Sequence, residues 1–116
     1  MKPAKRIVLV QNDPYLVSTR KAMLERQGYV VKAVHTVDNA RQLCRELNCD
    51  LVIVDSEEDY AAALELCEEI KAENPEVNVA VIAWNASEID SECPDEVIRR
   101  QRGPQEFVDK VRLALA

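Results

Sequence analysis

Asp50-Leu51-Val52-Ile53-Val54-Asp55 decides the fold: four apolar residues in succession, three of them β-branched, with a carboxylate at each end. A strand covered on one face alternates apolar and polar residues, whereas one covered on both faces is apolar throughout, as here. Working outward, Arg6–Val10 repeats the pattern, Tyr29–Val34 and Val77–Ala83 read as further strands, and Glu96–Arg99 as a short fifth. Helical spacing fills the intervals. Asp13-Pro14 offers a cap and a first-turn proline, Leu16, Val17, Met23 and Leu24 follow at helical intervals, and Gly28 stands where a left-handed C-cap is wanted. A second helix, capped by Thr36 or Asp38, runs through Ala40, Leu43, Cys44 and Leu47. A third, from about Tyr60 to Glu73, turns Ala63, Leu64, Cys67 and Ile70 inward, and Gln105–Leu115 carries Phe107, Val108, Val111 and Leu115 on one stripe. Asn85–Asp95 occupies the place of another helix but has one strong apolar residue, Ile89, before Pro94, so a loop or at most two turns is expected there.

Strands alternating with helices in this way call for a parallel sheet with helices on both faces. The 116 residues read as one domain, 1–116, large enough to build a hydrophobic core without staples. A composition 47% hydrophobic and 31% charged excludes a disordered tail, and the apolar runs are too short to cross a bilayer. The basic start Met1–Arg6 is followed by only Ile7–Val10, so no secretory segment is expected and the location reads as cytoplasmic. A net charge of −6 disfavours a duplex-binding surface, and two glycines leave no glycine-rich phosphate cradle, which removes dinucleotide and Walker-type readings. Cys44, Cys49, Cys67 and Cys93 contain no Cys-x-x-Cys and read as reduced, packing thiols rather than a zinc site.

In open parallel sheets, chemistry gathers at the carboxyl ends of the strands. That rule selects Gln11, Asn12, Asp13, Asp55, Ala83, Trp84 and the residues after Ile98. Glu57-Glu58-Asp59 reads as a solvated acidic loop, and His35 as a strand-end polar residue with no nucleophile beside it. Arg99, Arg100 and Arg102 form a basic edge on an acidic protein, either simply solvated or a docking patch for an acidic partner. Trp84 either packs over the strand ends or, if exposed, anchors a partner.

The element order, the strand-ending Asp55, Gly28-Tyr29-Val30-Val31, Ala40 and Gly103-Pro104-Gln105-Glu106-Phe107-Val108-Asp109-Lys110-Val111 together resemble the receiver domain of bacterial response regulators, over Arg6 to Leu115. The resemblance implies an α/β flavodoxin-like (CheY-like) three-layer sandwich with a five-stranded parallel sheet in order 2-1-3-4-5 and a short or irregular fourth helix. It also implies a phosphoryl group accepted on Asp55, with Mg²⁺ held by an acidic pair after the first strand. Those two positions here are Gln11 and Asn12, whose amides bring no charge to a hard cation, and Asp13 is the nearest remaining acid. The family's hydroxyl after the fourth strand matches Ala83, its aromatic on the fifth matches Val97, and its Lys before Pro aligns with Arg100-Gln101 or, on a rival alignment, with Gly103-Pro104.

The expectation is therefore an atypical, pseudo-receiver domain of a two-component or phosphorelay-type system, not an enzyme, in which Asp55 is vestigial. No cofactor is expected, nor a metal at the degenerate Gln11, Asn12, Asp13, Asp55 site. The amides are expected to stand in for the metal or simply to form a turn. The partner surface is expected at Trp84, Arg99, Arg100 and Arg102, for a signalling protein such as a histidine kinase or an output protein, with no nucleic acid or membrane. A monomer or weak homodimer is expected. The alternative keeps the phosphorelay, with Asp55 taking a phosphoryl group from a kinase and Asp13 or an acid of Glu57–Asp59 completing a Mg²⁺ site. A third reading, a flavodoxin-like binder of a small ligand, lacks any glycine-rich or aromatic cradle at the strand ends.

Overall fold

The computed structural model describes residues 3–56, 59–83, 92–99 and 103–116. Five strands, β1 (Arg6–Val10), β2 (Val30–Val34), β3 (Leu51–Asp55), β4 (Asn78–Ile82) and β5 (Glu96–Ile98), form one parallel sheet in the order β2-β1-β3-β4-β5. Four helices, α1 (Pro14–Arg26), α2 (Val37–Glu46), α3 (Tyr60–Glu73) and α4 (Pro104–Leu115), complete the described elements.

The period-two geometry of strands sorts the apolar residues onto two faces. Ile7, Leu9, Leu51, Ile53, Ala80 and Ile82 meet Leu24 of α1 and Phe107 and Val111 of α4. Val8, Val10, Val52, Val54, Val79 and Val81 meet Ala40 of α2 and Ala63, Leu66, Cys67 and Ile70 of α3. β3 is buried at every position, which is why it reads as an unbroken apolar run.

The ends of the elements follow local chemistry. The Asp13 carboxylate accepts from the Tyr15 and Leu16 N–H groups and starts α1, with Pro14 as its first residue. α1 ends in a Schellman arrangement: Gly28 N–H bonds Glu25 O, Tyr29 N–H bonds Leu24 O, and Gly28 takes φ 91°. Thr36, rather than Asp38, caps α2 through its hydroxyl.

Several sequence expectations need correction. Leu66 and not Leu64 lies in the core, because Ala63, Leu66, Cys67 and Ile70 make the buried stripe of α3 and Leu64 falls at its edge. Ala114 takes the buried position on α4 and Leu115 is partly covered, while Leu47 ends α2 as its C-cap. Tyr29, Val77, Ala83 and Arg99 fall just outside the strands. The irregular segment expected after β4 falls largely on residues 84–91, which lie outside the described residues.

Candidate functional site

The site begins with register. Leu9 pairs with Ile53 and Val10 with Val54, so Gln11 and Asp55 leave the sheet side by side at its carboxyl end. By alternation Gln11 continues Ile7 and Leu9, and Asp55 continues Leu51 and Ile53, so both face the α1/α4 layer. Gln11 is 1% exposed and the Asp55 side chain is fully buried. The Gln11 amide donates from Nε2 to Asp55 Oδ2, and its Oε1 accepts from the Asp13 N–H at 3.0 Å. One glutamine thus ties the acid to the start of α1.

The second contact to Asp55 comes from a residue the sequence reading passed over. Arg20, projecting from the buried stripe of α1, donates from Nη1 to Asp55 Oδ2 at 2.7 Å, with only 10% of its side chain exposed. Its guanidinium carbon lies 5.7 Å from the centroid of the Phe107 ring on α4, within cation–π range. The sequence signal was present: Arg20 falls between Leu16/Val17 and Met23/Leu24 at the same helical spacing, where an exposed cation would not be placed. Asp55 is therefore balanced by a cation covalently part of the chain, and among the described residues no buried polar side-chain atom lacks a hydrogen bond.

The neighbouring positions are also committed. The Ser56 hydroxyl donates to the Ile82 carbonyl at 2.7 Å, and the Ser56 N–H reaches the same oxygen at 3.1 Å. Ala83 is buried, and its N–H donates to Ile98 O at 2.8 Å. Val97 is half-buried on β5, opposite Val81. On the α2/α3 side of the strand ends lies a cleft of about 430 Å³, bounded by Gln11, Asn12, His35, Thr36, Asp55 and Asp59. Asn12 and His35 are exposed at its rim, and Asp59 caps α3 by accepting from the Ala62 N–H.

Of the expected site, the fold brings Gln11 and Asp55 together and leaves Asn12 at the surface; Asp13 serves as a helix cap. Arg99 is exposed just past β5, while Trp84, Arg100, Arg102, Glu57 and Glu58 lie outside the described residues. A hard dication seeks several carboxylate oxygens. Among the described residues at Asp55 it meets a carboxylate already facing a guanidinium and an amide oxygen already accepting from Asp13, a donor set that fits Mg²⁺ poorly. Among the described residues no three His, Cys, Asp or Glu side chains converge on a point where a metal could sit. No described helix is long and apolar enough to cross a membrane.

The response regulator receiver domain family matches residues 7–110. The fold is similar to that of the response regulator protein TrrA from Thermotoga maritima in complex with Mg²⁺-BeF, with 25% identity, 96% of this chain and 99% of that one covered, and a TM-score of 0.85. TrrA in complex with the histidine kinase ThkA is matched at 26% identity, over 97% and 99% of the two chains, with a TM-score of 0.84. An orphan response regulator of H. pylori shares the fold at 19% identity over the whole of both chains, with a TM-score of 0.86. A search of curated protein sequences returns no match. The chain belongs to the response regulator receiver domain family.

Proposed function

We propose that this receiver domain of two-component signalling works by binding a partner protein, without a Mg²⁺-dependent phosphorylation cycle at Asp55. The observation that carries the reading is the buried Arg20–Asp55 pair, closed by the Gln11 amide. A guanidinium at hydrogen-bond distance occupies the role of a soluble cation and cannot diffuse away. A magnesium ion sharing the Asp55 carboxylate would be repelled by that charge, a repulsion between a dication and a monocation that a partly buried crevice screens less than water does. The carboxylates that would offset this are absent at residues 11 and 12. Oδ2, which accepts from Gln11 and from Arg20, also has lone pairs engaged and is the poorer nucleophile for it.

The partner is a signalling protein, in line with the kinase complex formed by the similar TrrA. Its docking surface includes the exposed Arg99 beyond β5, with Trp84, Arg100 and Arg102 as the further residues to test. Binding through such a surface requires no catalytic step by this chain.

The test is a titration with Mg²⁺ and beryllofluoride, read by the backbone amide shifts of Ser56 and Ala83. The wild type is expected to give no saturable shift through millimolar Mg²⁺. The Gln11→Asp/Asn12→Asp/Arg20→Met variant, which restores two acids and removes the internal cation, is expected to gain one. A saturable response of the wild type overturns the proposal. A second reading, phosphoryl acceptance from a partner kinase, is favoured by the position of Asp55 at the border of an open cleft. It predicts a covalent mass increase with a small phosphodonor that disappears in Asp55→Asn.

A further inference from the structure

Two of the four cysteines meet each other. Cys67, fully buried on α3, and Cys93, partly exposed just before β5, place their sulfurs 2.8 Å apart across 26 positions of sequence. Both backbones are held at that meeting point. Asp95, two residues past Cys93, exchanges hydrogen bonds with Val79 of β4, its N–H donating to Val79 O and its carboxylate accepting the Val79 N–H, each at 2.8 Å. Lys71, one helical turn beyond Cys67, grips both Asp95 carboxylate oxygens at 3.1 and 2.9 Å. Pro94 further narrows the backbone choices of Cys93. The two thiols are thus preorganised, which a pair of merely space-filling cysteines does not require.

We propose that Cys67 and Cys93 are a reversible dithiol–disulfide couple, oxidised by exchange with a small-molecule disulfide. Cys93, the accessible member, attacks one sulfur of the disulfide as its thiolate, forms a mixed disulfide and releases one thiolate. Cys67 then gives up its proton and attacks Cys93 Sγ, expelling the second. Two protein thiols become one S–S bond, and the small disulfide is reduced to two thiols, which carry the two protons. Burial and the hydrogen bond with Cys93 hold the Cys67 thiol well above its ordinary pKa, which makes Cys67 the resolving partner and not the point of entry. The product covalently ties α3 to the entrance of β5, a three-residue edge strand. This inference does not depend on whether Asp55 is ever phosphorylated.

Cys44 and Cys49 are two further partly buried free thiols, so the assay begins from the full-length Cys44→Ser/Cys49→Ser chain. This chain is equilibrated in oxidised and reduced glutathione, quenched in acid, alkylated and mapped by mass spectrometry without prior unfolding. The expected result is loss of two hydrogens, a Cys67–Cys93 cross-linked peptide, return to two thiols with excess dithiothreitol, and a thermal midpoint roughly 10 °C higher when oxidised. With Cys67→Ser added, glutathione is expected to accumulate on Cys93; with Cys93→Ser added, Cys67 is expected to stay unmodified. Stable glutathionylation of Cys93 while Cys67 is present, two free thiols at every redox ratio, or a cross-link formed only in urea each overturns the proposal.

Discussion

Replacing Arg20 with Met is the most direct measure of what Asp55 has become. The change keeps an unbranched, apolar stem against Phe107 and deletes the guanidinium, leaving a carboxylate with a fully buried side chain and one amide donor described for its Oδ2. Breaking a buried ion pair from one side costs about 3–5 kcal/mol, because the remaining charge stays desolvated. For a chain of this length about 4 °C accompanies each kcal/mol, so the thermal midpoint should drop by roughly 12–20 °C. Asp55→Asn strands the guanidinium instead and should also destabilise. The double variant Arg20→Met/Asp55→Asn removes both charges, so its loss should fall short of the sum of the singles by about 2 kcal/mol or more. Urea unfolding followed by circular dichroism gives the three free energies, and calorimetry gives the midpoints. Arg20→Lys is the companion variant: it keeps the charge but loses the planar fork and the stacking on Phe107, and should fall between wild type and Met. A loss below about 1 kcal/mol for Arg20→Met, with additive singles, would refute the coupling and with it the idea of an internal counter-ion.

Gly28 and Arg41 give two further outcomes. Gly28→Ala should cost about 1–2 kcal/mol in urea unfolding, from the positive φ of 91° alone, since no heavy atom lies within 4 Å of the added Cβ; Gly28→Asn should cost less. Arg41 donates to both Glu69 oxygens across the α2–α3 boundary and holds that carboxyl below its usual range. A pKa lower in the folded chain gives stability that is complete above the ordinary glutamate value of about 4.3 and is lost as pH falls through the folded value. Urea midpoints should therefore decline more steeply with acid for the wild type than for Arg41→Ala, the two curves converging at the lowest pH.

The sheet was legible because its chemistry is coarse: a strand buried on both faces must be apolar at each covered step, and β1 after Arg6, β3 before Asp55 and β4 after Asn78 are. Asp55 stood out for the same reason, as the first polar residue after such a run. The difference between Gln11 and Asn12 was also within reach, since parity alone puts Gln11 on the face of Asp55 and turns Asn12 away. Arg20 was missed because arginine on a helix is ordinarily solvated, and its place on the apolar stripe was not weighed against that habit. Leu66 was missed because Ala61-Ala62-Ala63-Leu64-Glu65-Leu66-Cys67 is apolar over more than one face, so spacing alone did not fix which leucine turns inward. The Cys67–Cys93 meeting depends on how the chain returns into β5, and no local pattern encodes a contact 26 residues apart.

An internal counter-ion changes what can move the equilibrium of this domain. A ligand shifts a two-state protein only by its differential affinity for the states, and its concentration is the variable a cell can alter. On the proposed reading the cation at Asp55 is a side chain and that variable disappears, because Arg20 is present at the site whenever α1 is folded. The same side chain couples the acid to α1 and, through Phe107, to α4, while Ser56 and Ala83 fasten the ends of β3, β4 and β5 to one another. Displacing Asp55 would have to disturb packed elements on the α1/α4 face together, and no group enters to compensate. On the proposed reading, regulation must then act away from the strand ends: through whatever docks beside Arg99, or through the thiol pair at the entrance to β5, where the chain is held by an ion pair and two backbone contacts and a single covalent bond would make a measurable difference.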